Sequence, residues 1–275
     1  MQASPLLIIE AGKTERHYWR DLWRYRELFY FLAWRDILVR YKQTTIGILW
    51  ALLRPGLTML AFTFVFAKLA KLPAGDTPYP VFVLVGLLPW LFFANAFTEA
   101  GHSLVSNANL ISKVYFPRLI VPGSAIFVSF VDFLITGTLL LALMFWYGIT
   151  PSEHILALPA FMLLTIALTL GLSLWISALN VKYRDFRYVI PFINQFGLYI
   201  SPVGFSSDLV PEHWRLIFAL NPMVSVIDGF RWSLLPEPVP LRWDSLGLSA
   251  ALITFLLTSG ILYFRRMERS FADVI

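Results

Sequence analysis

The 275-residue chain is 58% hydrophobic and 14% charged, with a formal net charge of +5 and a mean hydropathy of +0.68. Soluble domains carry about a quarter charged residues, so this chain has too little polar surface for a water-facing globule, and lipid forms part of its solvent. The absence of Cys excludes disulfides, thiolate nucleophiles and Cys-ligated metals, and no two of the four His flank a Glu at i,i+4.

The chain opens MQASPLLIIEAGKTE. Gly12-Lys13-Thr14 matches the close of an ATP-binding phosphate loop, but that loop requires an earlier Gly, and Leu7 stands in its place. Leu cannot supply the tight, amide-exposing turn, so any ATP belongs to another chain. No secretory signal peptide is expected, because the first long apolar run begins only at Gly47 and has no small-residue cleavage site after it. From Glu15 to Leu32, helical spacing gathers Arg16, Arg20, Arg24 and Glu27 on one face. Tyr18, Trp19, Leu22, Trp23, Tyr25 and Phe29 fall on the other, with Arg26 the misfit. This is the pattern of an amphipathic helix lying in the membrane interface.

About 20 apolar residues cross a ~30 Å hydrocarbon core. Six segments meet that measure: Gly47 to Ala67, Pro80 to Ala100, Val121 to Tyr147, Ile155 to Leu179, Tyr188 to Phe205 and Leu246 to Phe264. The fifth is the weakest, since it carries Pro191, Asn194, Gln195 and Pro202. The stretch "EHWRLIFALNPMVSVIDGFRWSLLP" reads as two short re-entrant half-helices broken at Asn221-Pro222. A seventh span there would place Arg215, Asp228 and Arg231 in lipid, at about 2.5–3.5 kcal/mol for each charge at mid-bilayer.

The expected fold is therefore an all-α membrane protein with six transmembrane helices, an amino-terminal interface helix and two half-helices before the last span. Residues 1–46 form an amino-terminal segment, 47–264 the single transmembrane domain and 265–275 a tail. With six spans both termini share a side, and that side holds sixteen Lys and Arg against five on the other, with Arg54 inside span one. The positive-inside rule puts both termini in the cytoplasm.

Embedded ionisable groups are few: Arg54, Asp132 well inside span three, and Glu99 at the end of span two. No carboxylate pair, Ser/His/Asp grouping or metal-ligand spacing is present, which argues against intramembrane hydrolysis or transfer on lipid-linked sugars. Asp132 suits a hydrogen-bonded packing role as well as a functional one. Between spans two and three, "SNANLISKVYFPRLIVP" reads as a short helix from Asn107 to Tyr115 stopped by Pro117. Its Leu110, Ile111, Val114 and Phe116, flanked by Lys113 and Arg118, form an apolar knob suited to a groove on a soluble partner. The other connection on that side, "NVKYRDFRY", is compact and charged.

The chain resembles the transmembrane subunit of bacterial ABC exporters of the type-2 permease family, in the branch exporting O-antigen, teichoic acid and capsule-like polysaccharides. The resemblance rests on "YRELFYFLAWRDILVRYKQTTIGILWALLRP", "NANLISKVYFPRLIVP", "LNVKYRDFRYV" and "LNPMVSVIDGFRWSLL", in that order along nearly the whole chain. It implies a homodimer in the bacterial inner membrane with two copies of a separate ATPase, which holds ATP and magnesium, so that no cofactor, catalytic residue or metal belongs to this chain. It also implies that Asn107, Asn109, Leu110, Ile111, Lys113, Phe116, Pro117 and Arg118, with Arg184 and Asp185 nearby, face that ATPase. Spans one and five of each copy would line the channel, and the cargo would be a glycan on a polyprenyl diphosphate lipid, with no nucleic-acid partner. A sibling permease for a small drug or lipid shares the same motifs. Flat rings stack on sugar faces, so Trp50, Trp90, Phe92, Phe93 and Tyr199 are candidate pore or gate residues. Arg35, Arg40 and Lys42, just before span one, are candidates to hold the lipid diphosphate.

Overall fold

A computed structural model describes residues 18–42, 47–73, 75–236 and 240–271. The Gly-Lys-Thr run and the residues Glu15, Arg16 and His17 lie outside it. The described chain is helical: α1 (Tyr18–Arg24), α2 (Arg26–Lys42), α3 (Gly47–Phe62), α4 (Tyr79–Ser106), α5 (Ala108–Lys113), α6 (Ile120–Trp146), α7 (Leu158–Lys182), α8 (Phe186–Ile200), α9 (Glu212–Ala219), α10 (Pro222–Leu234) and α11 (Trp243–Met267). A π-helical stretch, Thr63–Leu69, extends α3, and short 3₁₀ turns precede α7 and follow α11.

Among the described residues five helices are long and apolar enough to cross a membrane: Leu49–Leu69, Tyr79–Ser106, Ile120–Trp146, Glu153–Lys182 and Trp243–Ser270. They correspond to the first, second, third, fourth and sixth expected spans. The fifth expected span holds α8, whose fifteen residues are too few to cross as helix alone. The backbone leaves the helix at Ser201, in extended conformation ahead of Pro202. The expected break before the last span is present. Asn221 caps α10, its side chain accepting from the Met223 N–H at 3.1 Å, and Pro222 takes the first helical turn.

Helix α4 is the axis of the bundle. Its residues from Val81 to Leu88 are buried on every side, packed by α6, α7, α8 and α10. Lipid tails are as apolar as Leu, so burial alone does little to join helices in a bilayer; close packing and hydrogen bonds must. The α7–α11 contact shows both. Gly171 and Gly260 bring the two backbones into direct contact, and Trp175 donates to Ser259 at 3.2 Å while stacking on Tyr263. A second core closes the basic end of the bundle, where Tyr18, Leu32, Leu104, Ile111, Phe116, Phe264 and Phe271 meet.

The interface-helix expectation needs revision. Tyr25 interrupts the helix between α1 and α2. Tyr18 points into the second core, and Leu22, Tyr25 and Phe29 pack against that core. Trp19 and Trp23 face outward, joined by Tyr30, Phe31 and Trp34 farther along α2. The aromatic residues thus serve two surfaces, the protein and its surroundings.

Candidate functional site

The "RDILVRY" run clamps α2 onto two other helices. Arg35 pairs with Asp36 at 2.7 Å and donates to the Asn107 side-chain oxygen at 3.0 Å. Arg40 reaches Glu99 of α4 at 2.6 Å and also pairs with Asp132 of α6, whose carboxylate accepts from Tyr41 as well. Asp132 stands about 18 Å along α6 from Ile120, so α2 runs along the flank of α6 as far as its middle, with Leu32 and Ala33 buried and Trp34, Leu38 and Val39 exposed. Burial and the bond to Asp132 push the Tyr41 phenol well above its ordinary range, which keeps it a donor. Of the three candidate diphosphate ligands, Arg40 is therefore committed to carboxylates and Arg35 partly so, while Lys42 is exposed.

The knob of the α4–α6 connection is smaller than expected. Ile111 and Phe116 are buried in the second core and Pro117 is covered, because α5 lies against the bundle rather than standing off it. Leu110 is half-buried. The free tip consists of Asn109, Ser112, Lys113, Val114 and Tyr115. Tyr115 was not singled out by the sequence pattern. Arg184 and Asp185 are exposed at the α7–α8 turn. Asn107 links α4 to α5: its N–H bonds the Ser103 carbonyl at 3.1 Å and its carbonyl accepts from Ile111 at 3.1 Å.

Three of the five candidate pore aromatics are interior. Trp90 lies against Gly197 of α8, Phe92 meets Phe130 and Phe133 edge-on, and Phe93 stacks on Phe97. All three are nearly inaccessible, so they hold helices together and are not open to a cargo. Trp50 and Tyr199 are exposed, at 59% and 68%. Tyr199 belongs to an outward stripe of α8 with Tyr188, Phe192 and Phe196, and Gln195 lies on the same exposed side. The i,i+4 spacing of 188, 192 and 196 was the available signal for it. Asn194, next to Gln195, turns inward and donates to the Ala94 carbonyl at 3.1 Å and to Thr98 at 2.8 Å.

Arg231 counts as an outer-side charge in the sequence, yet it is fully buried. It donates to the Val203 carbonyl at 2.9 Å and the Phe205 carbonyl at 3.0 Å, and lies 3.8 Å from the Phe82 ring centroid. It thereby pins the turn that follows α8 to α4. The i,i+3 pair Asp228/Arg231 inside an apolar helix was the sign that this cation has a protein partner.

A family model described as "ABC-2 type transporter" matches residues 27–235. The O-antigen export system permease protein RfbA of Myxococcus xanthus is 29% identical over 258 residues, covering 93% of this chain and 98% of that protein. RfbA of Klebsiella pneumoniae is 28% identical over 250 residues, 90% of this chain and 95% of its own length. The polysialic acid transport protein KpsM of Escherichia coli is 24% identical over 241 residues, 86% and 92% of the two chains.

Proposed function

The chain belongs to the ABC-2 type transporter family, and we propose that it is the channel-forming permease of an exporter moving polysaccharide, carried on a polyprenyl diphosphate lipid, across the bacterial inner membrane. It is a multi-pass transport subunit that works with a separate ATPase. In this reading two copies of the chain pair, each seated on one ATPase, with the basic end of the bundle in the cytoplasm.

Six crossings, the number that places both termini on one side, are supported by the path of α8. Ile190 lies against Gly101, Asn194 bonds to Ala94 and Thr98, Gly197 faces Trp90, and the Tyr79 hydroxyl donates to the Gly204 carbonyl at 2.6 Å. Residues 190–204 thus run antiparallel to α4 from Gly101 to Tyr79, about 33 Å of helix, which matches a ~30 Å core. The short helix gains the missing length from the non-helical residues 201–205 that follow it, which Arg231 secures. Helices α9 and α10 then sit at the outer end as half-helices, a geometry tolerated where protein covers the backbone.

The outward aromatic stripe of α8 carries the cargo assignment. Large rings on an exposed face, with Gln195 among them and no fixed charge between Tyr188 and Ile200, suit sugar faces sliding past. Trp50 on α3 offers a further exposed ring. Arg35, beside Asn107 at the cytoplasmic mouth, first holds the lipid diphosphate; the exposed Lys42, about 10 Å farther along α2, holds it next, and Arg40 acts as the clamp that fixes α2 between them. The tip Asn109–Tyr115 and the Arg184-Asp185 turn face the ATPase.

The test is export by the reconstituted permease–ATPase complex, with lipid-linked glycan as cargo. Replacing Phe192 and Phe196 together by Ala is expected to slow glycan export about tenfold with the complex still assembled. Unchanged glycan export, or ATP turnover stimulated by small drugs and not by glycan, contradicts the assignment.

A further inference from the structure

The last helix is tied down at the basic end. Beyond α11 the 3₁₀ turn Glu268–Ser270 carries the helical path on, and two turns after Phe264 the Phe271 ring is buried edge-on to it, ring centroids 5.3 Å apart. Within this turn the Glu268 carboxylate accepts the backbone N–H of Arg118 at 2.6 Å, and the Tyr18 hydroxyl approaches the same oxygen at 3.5 Å. The Arg118 guanidinium donates in return to the Glu268 carbonyl. Arg265, one turn earlier, lies 4.5 Å from the Tyr18 ring centroid. One carboxylate therefore joins α1, the end of the α4–α6 connection and the last helix.

The position of that carboxylate matters because of what lies between it and the exposed tip. From Val114 to Arg118 the chain is neither helix nor strand. A force applied at Lys113 or Tyr115 would be absorbed by bending of such a stretch unless its far end were fixed. The near end is held by Asn107 and the buried Ile111. The far end is held by Phe116 in the second core and by Arg118 on Glu268. A charge-assisted bond of 2.6 Å to a backbone amide is short and directional, and it fixes main chain rather than a flexible side chain.

We propose that Glu268 is a positioning residue for energy coupling: it locks the ATPase-facing segment to the last span and to α1, so that displacement of the tip moves all three as one body. The proposal rests on the reading that this tip meets the ATPase. Glu268 touches neither ATPase nor cargo and acts through Arg118.

The experiment uses the full permease–ATPase complex in vesicles and reads ATP hydrolysis and glycan export in the same sample. Glu268→Ala is expected to lower glycan exported per ATP about fivefold while ATPase binding and hydrolysis stay within about twofold. Glu268→Gln, which keeps an acceptor, is expected to fall between the two. An unchanged export-to-hydrolysis ratio overturns the proposal, as does a loss of both activities in proportion to lost complex, which is the mark of a merely structural residue. Because the chain has no Cys, a Tyr18→Cys/Glu268→Cys pair gives an independent arm. Joining the two thiols with a short bis-maleimide should restore the ratio relative to the unjoined pair, and no gain on joining overturns the proposal. Lys113→Glu with Tyr115→Ala tests the underlying reading separately: undiminished ATPase binding in that variant refutes docking at the tip, whatever Glu268 does.

Discussion

Arg40 and Asp132, ninety-two positions apart in sequence, form an ion pair that fastens the end of α2 to the middle of α6. The carboxylate is also bonded by Tyr41, and the guanidinium also reaches Glu99. The two acidic partners are not equivalent, because the Asp132 side chain is 18% exposed and that of Glu99 is 51%. Removing a partner from a shielded pair leaves a costly unpaired charge, whereas an exposed pair contributes little. Asp132→Ala is expected to lower stability by about 1–3 kcal/mol and Glu99→Ala by less than about 1 kcal/mol, measured by thermal unfolding in nanodiscs. Equal losses would show that the cluster does not discriminate by burial.

The α7–α11 contact depends on having no side chain at Gly171 and Gly260. A Cβ on Gly260 would collide with the Gly171 carbonyl oxygen, and one on Gly171 would lie 2.8 Å from the Leu257 nitrogen. Gly247, in the same helix as Gly260, has open space around it. Gly260→Ala is therefore expected to cost about 1–3 kcal/mol as the helices separate. Gly247→Ala should be neutral or stabilising by up to about 1 kcal/mol. Unfolding of the two variants side by side is the check.

Substitutions at Trp90 and Phe192 test packing and transport separately. Trp90 fills the space beside Gly197, where an added Cβ would lie 2.5 Å from the ring, while Phe192 is 64% exposed. Trp90→Ala is expected to lower stability by about 3 kcal/mol or more, and Phe192→Ala to leave the melting temperature unchanged while slowing export. A Phe192 variant that melts early and exports normally per folded molecule would reverse these roles.

The path of α8 gives a labelling prediction. With no native Cys, single cysteines at Arg184 and Ser207 report the two ends of residues 186–205. Impermeant maleimide applied outside spheroplasts should label Ser207→Cys and not Arg184→Cys. Labelling both, or neither, rules out a crossing between them.

Much of the architecture was legible because hydropathy reports a solvent requirement and needs no tertiary knowledge. Five spans lie close to where apolar length placed them, and the Asn221-Pro222 break follows from cap chemistry. α8 was harder to read, since the chain leaves the helix after Ile200 and is held there by Arg231, a long-range bond whose one local sign is the Asp228/Arg231 pair. The site was read less well for the same reason. An apolar ridge such as Leu110, Ile111, Val114 and Phe116 looks the same in sequence whether it awaits a partner or packs on its own chain, and here Ile111 and Phe116 do the second. Trp90, Phe92 and Phe93 were ambiguous in the same way, because ring chemistry suits sugar and core alike. Periodicity separates the cases, and it marks the outward stripe of α8.

The division of labour between a conduit and a separate motor is tested most directly by reconstituting the chain in vesicles with lipid-linked glycan and ATP, with and without its ATPase. Glycan should cross only when both proteins are present, and stop when ATP is withheld. ATP-driven crossing with this chain alone would contradict the account.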